Sequence, residues 1–324
     1  MTNLKPEKSV KLRADFLSFA KYPAVDPEPG RYHSLTTIVF NGDVWRATSF
    51  SDYSGIQISK SGDGNHWSEV SIIPSAKFSG AELQVLNGEL WLIGRLDVPD
   101  SGIYGGFPCG FKSPNGIDWE PIMFPTGIRG YPHRTFVFRD RMYLLAHNDH
   151  EINPNILLYT ADGEKWIVET YFFPVFTPKV DHFLVLKNSV YAFVHGNLPG
   201  VPGRPDYFEV WRSDDAVNWR RLSTPAHSPP PRRSYTVGHF NGKVWVIGGS
   251  RDINGVGGSI GTIEPSNEIW FTKDFTRWFR YEGRNPMPAA VDRRAVVFWD
   301  KLWLHGGRMD GHYIDISPTY SITE

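Results

Sequence analysis

Arginine, histidine and carboxylate side chains fall in short clusters that recur at intervals of about 50 residues. One series reads Arg31-Tyr32-His33, Glu82, Tyr131-Pro132-His133-Arg134, Asp181-His182, Arg232-Arg233-Ser234-Tyr235 and Asp292-Arg293-Arg294. A second reads Arg95-Leu96-Asp97, His147-Asn148-Asp149-His150, His195, Arg251-Asp252 and Arg308-Met309-Asp310-Gly311-His312. Seven of the eleven histidines lie in these segments. Arg31, Arg134, Arg233, Arg293 and Arg294 have the chemistry of a fork for a carboxylate, sulfate or phosphate, because guanidinium bonds such groups in bidentate fashion. His182 beside Asp181 has the makings of a general base oriented by a carboxylate. Imidazoles and carboxylates of His133, His147, Asp149, His150, His182 and His195 are candidate ligands for Zn²⁺ or Fe²⁺, although their spacing matches no compact metal motif.

The elements that must position these clusters repeat as well. Six phrases place a turn before Trp or Tyr and an apolar run: Phe40–Thr48, Leu86–Gly94, Phe138–Ala146, Leu186–Val194, Phe240–Gly248 and Phe298–Gly306. Apolar residues on both sides of Asn-Gly or a similar dipeptide predict a two-residue hairpin. A second phrase follows five of the six, at Ser61–Trp67, Ser113–Trp119, Thr160–Trp166, Ser213–Trp219 and Thr272–Trp278. Each has Ser or Thr six residues before Trp and Asp or Asn four before it, which predicts a second hairpin. Its carboxyl or amide oxygen would cap the turn, and its Trp would pack between neighbouring sheets. Two hairpins make a four-stranded antiparallel sheet, and six such sheets around an axis make an all-β, six-bladed β-propeller. The last copy lacks the second phrase, so Val10–Phe19 is expected to supply the missing outer strand and close the ring as a single domain over residues 1–324. In that architecture the charged clusters precede the innermost strands or follow the second strands, and converge on one mouth of the axial channel.

The Gly-Gly phrases Val244–Gly249 and Leu302–Gly307, with Pro231–Gly242 upstream, resemble kelch repeats, and the Ser/Thr-x-Asp/Asn turns resemble the Asp-boxes of sialidase-type propellers. The resemblance spans Thr37 to Gly307 and implies a shape more than an activity. By likeness to the arginine cluster of sialidases, it implies a retaining glycosidase with Glu82 beside an arginine, Tyr131 or Tyr235 as nucleophile and Asp181 or Asp292 as acid. The sialidase Arg-Ile-Pro signature is replaced by Arg31-Tyr32-His33. Arginines in such loops also serve as bridges between blades, and that alternative stands for each of them.

Composition narrows the field. Thirty-four basic and thirty-five acidic residues give a net charge of −1, without the basic surplus of a nucleic-acid or anionic-membrane binder. Aromatics reach 15%, interleaved with 31 Gly and 25 Pro, which suits short strands between turns. Cys109 is the only cysteine, so no intrachain disulfide forms and a reducing, cytoplasmic setting is expected. Asn254–Gly261 is glycine-rich but no helix is predicted after it, so it reads as a rim loop rather than a phosphate loop. The expectation is a carbohydrate-active propeller that binds an acidic sugar or glycan at the channel mouth. Its acid–base candidates are Asp181, His182, Asp292, Glu82 and Tyr131. Substrate would be held by Arg31, His33, Arg95, His133, Arg134, His195, Arg233, Tyr235, Arg293 and Arg294. No cofactor is called for beyond a possible divalent metal at His147, Asp149 and His150. A non-catalytic glycan-binding propeller and a protein-interaction platform are the alternatives.

Overall fold

A computed structural model describes residues 17–22, 32–50, 52, 54–74, 78–96, 107–125, 131–147, 155–169, 179–196, 207–222, 228–252, 263–308 and 319–324. These form six four-stranded antiparallel sheets and one added two-stranded ribbon. Blade 1 runs outward from Tyr32–Phe40 through Asp43–Phe50 and Gly55–Ser61 to Ser68–Pro74. The innermost strands of blades 2 to 6 are Phe78–Leu86, Tyr131–Phe138, Lys179–Leu186, Thr236–Phe240 and Arg294–Phe298. In blade 5 the ribbon Ser250–Asp252 with Ile263–Pro265 rises between the second and third strands.

Five of the six inner hairpins take the turn their sequence predicts; in the sixth only Lys187, not Asn188, has positive φ. Asn41-Gly42, Asn87-Gly88, Arg139-Asp140, Asn241-Gly242 and Trp299-Asp300 all have positive φ at both residues. That is the requirement of a type I′ turn, whose twist matches the flanking strands. The ring closes through both chain ends, with only the end of the expected segment seen in the closing strand. Ser18–Tyr22, which overlaps the end of Val10–Phe19 and extends to Tyr22, is the outer strand of blade 6, pairing antiparallel with the C-terminal strand Thr319–Thr323. Only Leu17–Phe19 of the expected segment falls among the described residues.

The core is distributed over the seams between blades. Trp45, Ile56, Phe78 and Leu83 fill the seam of blades 1 and 2, and Trp91, Ile93, Met142 and Leu144 the next. The anchors Trp45, Trp91, Tyr143, Trp245 and Trp303 are all buried. Except at Trp245, whose following blade lacks the second phrase, each is met by the outer turn of the following blade. Gly64, Gly116 and Gly163 lie on the rings of Trp303, Trp45 and Trp91, so close that an added Cβ would stand 2.7, 2.1 and 2.4 Å from ring carbons. Opposite the smaller Tyr143 the turn carries Ala216, and opposite Tyr191 it carries Phe275, stacked at 4.2 Å between centroids. All five turn residues have φ between 60° and 83°. Within those turns Ser61 Oγ accepts from Gly64 N at 2.9 Å, while Asp63 Oδ1 accepts from Asn65 N and His66 N at 2.8 Å. The Trp residues of these phrases are less enclosed than the inner anchors: Trp67, Trp119, Trp166 and Trp219 are half-buried and only Trp278 is buried.

Candidate functional site

Every innermost strand carries a decisive side chain four residues before its hairpin-closing residue: Thr36, Glu82, Arg134, His182, Thr236 and Arg294. Each of the six hydrogen-bonds the backbone of the next blade. Thr36 Oγ1 accepts from Leu83 N at 3.1 Å, and Glu82 Oε2 accepts from Thr135 N at 2.6 Å. Arg134 Nε donates to the Asp181 carbonyl, and His182 Nε2 to the Tyr235 carbonyl. Thr236 Oγ1 donates to Arg293 O at 2.7 Å, and Arg294 Nε to Leu35 O at 2.6 Å, which returns to blade 1. Two acceptors meet the amide that follows the equivalent position of the next blade, and four donors meet the carbonyl that precedes it. The result is a closed belt around the axis.

An axial cavity of about 320 Å³ touches all six inner strands and is lined at the belt by Thr36, Glu82, Arg134, His182 and Arg294. Its charge is uneven. Glu82 Oε1 lies 3.5 Å from Arg134 Nη1, a partly screened pair. Burial, with the Arg134 charge second, pushes the Arg294 guanidinium down from its ordinary value, while Glu82 and Asp292 oppose the shift. His182 is neutral at physiological pH, because burial and then the charges of Arg134 and Arg294 push it down to about 3. The polar belt therefore presents two guanidinium groups, from opposed blades 3 and 6, against one carboxylate.

The Asp-His pair expected at adjacent positions is not the one that forms. Asp181 is the extra residue of a β-bulge between Val180 and His182, a device that re-aims a side chain. The buried carboxylate turns to His195 on the neighbouring strand, with Oδ2 2.5 Å from Nδ1. Ser234 N of blade 5 reaches Oδ1 at 3.4 Å. Burial alone would raise the Asp181 carboxyl; the contact with His195 first, and the Arg134 charge behind it, outweigh it and hold the group below its ordinary value. An ionised carboxylate only accepts, so His195 Nδ1 carries the proton of this contact, and in the neutral ring the lone pair is on Nε2. Nε2 has no hydrogen-bond partner among the described residues, and the ring is 20% exposed. This is the arrangement of a base held in one tautomer by a carboxylate.

The other candidates divide plainly. Arg293 does not join an arginine fork; it is 4% exposed and turns into blade 6, with Nη2 3.0 Å from Pro288 O and its guanidinium over the Tyr320 ring. Burial lowers it to about 10. Tyr235 is fully buried, and burial followed by Asp181 raises its phenol well above the ordinary value, which argues against a nucleophile. Asp292 pairs with Arg308, and its amide donates to Ser234 O at 2.8 Å. Arg233 is half-buried and its backbone bridges Ser250, while Arg95 is half-buried at the end of its strand. Tyr131, His133, His147 and His33 lie in strands, but their side chains, with Arg31, Asp149 and His150, fall outside the described residues. Among the described residues no group of three His, Cys, Asp or Glu is placed to hold a metal ion. Thr36 and Thr236 were not singled out by sequence; their signal is the shared offset from the hairpin.

Comparison with known proteins extends the fold but not a family. No family model matches the chain. YjhT is similar over 93% of this chain and 100% of its own, with a TM-score of 0.68 at 15% identity. A protein of unknown function from Dyadobacter fermentans has a TM-score of 0.65 at 13% identity, over 95% of this chain and 99% of its own. The GH93 α-L-arabinofuranosidase of Fusarium graminearum, solved with arabinobiose, gives 0.61 at 17% identity over 91% and 93%. These likenesses establish the propeller. In sequence, 162 residues are 28% identical to the flagellar outer arm dynein alpha chain of Chlamydomonas reinhardtii, covering 43% of this chain but 3% of that protein.

Proposed function

We propose that the protein binds an acidic sugar or glycan at the mouth of the axial channel and acts on it by acid–base chemistry, with His195 and Asp181 as the proton-handling pair. The observation that carries the reading is the 2.5 Å contact between the bulged, buried Asp181 and His195. The belt arginines Arg134 and Arg294 supply attraction for an acidic group, since guanidinium binds carboxylates and related oxyanions well in a confined site. His195 Nε2 would take a proton from a sugar C–H or anomeric hydroxyl that is restored at the opposite face or at the ring oxygen, giving epimerisation or anomeric exchange, or from a water that attacks the anomeric carbon as the glycosidic oxygen leaves with a proton, giving cleavage. A propeller neighbour, the arabinofuranosidase solved with arabinobiose, supports a sugar ligand at the level of fold.

A second reading has its own observation. Glu82, Arg134, His182 and Arg294 are all engaged in the belt, which suits a glycan-binding propeller without turnover. Proton NMR with pooled neutral and acidic sugars, followed over hours, separates the two. Changing anomeric signals that vanish in His195→Asn support the enzyme. Line broadening without new signals favours the binding module, and silence in both sinks the sugar readings and leaves a protein-interaction platform.

A further inference from the structure

We propose that Arg134 is the positioning residue of the His195–Asp181 pair. By holding the carbonyl of the bulged Asp181 it fixes where the carboxylate points, and so which nitrogen of His195 is left bare. The inference deepens the acid–base reading of this site and rests on it for its functional meaning.

A bulged residue has no partner strand residue of its own, so its backbone is free to rotate unless something else satisfies it. At Asp181 the carbonyl is taken by Arg134 Nε of blade 3, across the seam. The arginine is steadied from behind by Glu82 of blade 2, 3.5 Å from Nη1. The carboxylate of Asp181 then spans His195 of its own blade and Ser234 N of blade 5. A single polar chain, Glu82–Arg134–Asp181–His195, thus links the axial cavity of blade 2 to the base on blade 4. Other belt bonds lack this consequence. Thr236 makes the corresponding bond to Arg293 O, but Arg293 turns into its own blade, toward Pro288 and Tyr320. The same type of bond is structural at one seam and, at the other, decides the aim of a carboxylate.

The test reads the tautomer of His195 directly and needs no sugar. Long-range ¹H–¹⁵N correlation of the labelled protein near neutral pH, with His195→Gln for assignment, should show Nδ1 protonated and Nε2 bare. In Arg134→Gln the Nδ1–H share should fall by roughly twofold or more as the carboxylate loses its aim. Thr236→Val, which removes an equivalent belt bond, should leave the His195 signals unmoved while lowering stability. Glu82→Gln, which loosens the arginine, should move them in the same sense by less, and stands in if Arg134→Gln does not fold. Unchanged His195 signals in whichever of these two variants folds overturn the proposal, as would an equal shift in Thr236→Val. If the tautomer responds but no sugar is ever turned over, the positioning holds and the acid–base reading fails.

Discussion

Replacing Gly163 by alanine puts a methyl group 2.4 Å from Cη2 of Trp91 and asks a residue with a side chain to adopt φ +81°. The left-handed conformation costs about 1–2 kcal/mol, of which about 0.4–1 is returned by stiffening the unfolded chain. The clash adds about 1–3 kcal/mol, because a packed seam must shift to make room. Gly88→Ala isolates the backbone part: φ is +77° there and nothing lies within 4 Å of the new carbon. The chain itself supplies the remedy, since a turn carrying Ala216 at φ 68° packs beside Tyr143 rather than Trp. Trp91 makes no hydrogen bond through Nε1, so Trp91→Tyr changes ring size without breaking one. In a double-mutant cycle, alanine at 163 should cost about 1–3 kcal/mol less when Trp91→Tyr is already in place. Urea unfolding followed by far-ultraviolet circular dichroism gives all the values. Equal losses in Gly163→Ala and Gly88→Ala, or a cycle with no coupling, would refute the claim that ring size and turn residue are matched across each seam.

Arg293→Ala should destabilise by about 1–3 kcal/mol, because it strips buried hydrogen bonds, while leaving sugar affinity unchanged; thermal melts and titration calorimetry check both halves. Arg294→Gln keeps a donor for Leu35 O and should fold, yet weaken an acidic sugar about 10–100-fold in calorimetry, with a neutral sugar unaffected. Acid should loosen the ring before the carboxylates titrate. Burial, with nearby arginines second, lowers both His182 and His305 to about 3 from an ordinary 6.5. A histidine depressed in the folded state stabilises above pH 6.5, and that contribution drains away as pH falls toward about 3. Each can cost up to about 1.4 kcal/mol per pH unit. Urea midpoints from pH 7 to 4 should fall steeply in the wild type and less so in His305→Asn; identical slopes would remove His305 from the account.

The blades were legible because the features that build them are local. Asn-Gly between apolar runs dictates a hairpin, and Ser or Thr followed two residues later by Asp or Asn dictates the outer turn. Closure was half legible: the need for a foreign outer strand was clear, but Ser18–Tyr22 has no turn phrase to fix its place, and the strand runs three residues past the expected end at Phe19. The site was less accessible to such reasoning. Glu82, Arg134, His182 and Arg294 looked like loop residues, although each belongs to a strand, Arg294 as its first residue, and is spent on the next blade. The Asp181–His195 contact depends on a one-residue bulge, and nothing in the residue types announces where a ladder will slip. Arg293 and Arg294 are chemically identical neighbours, but Arg293 precedes the strand and turns into the blade while Arg294 begins it and faces the channel.

The belt has a consequence for how such a ring can diversify. Thr, Glu, Arg and His all occupy the same position here, and all fasten their blade to the next. Fastening requires only one donor or one acceptor of the right reach, and at five of the six positions, Thr36, Glu82, Arg134, His182 and Arg294, the side chain also lines the axial cavity. The six positions therefore behave as a short word written in interchangeable letters. The spelling sets the charge and proton inventory of the channel, while the ring stays shut whichever letters are used. Duplicated blades can thus acquire separate chemical identities one substitution at a time, without passing through an open ring.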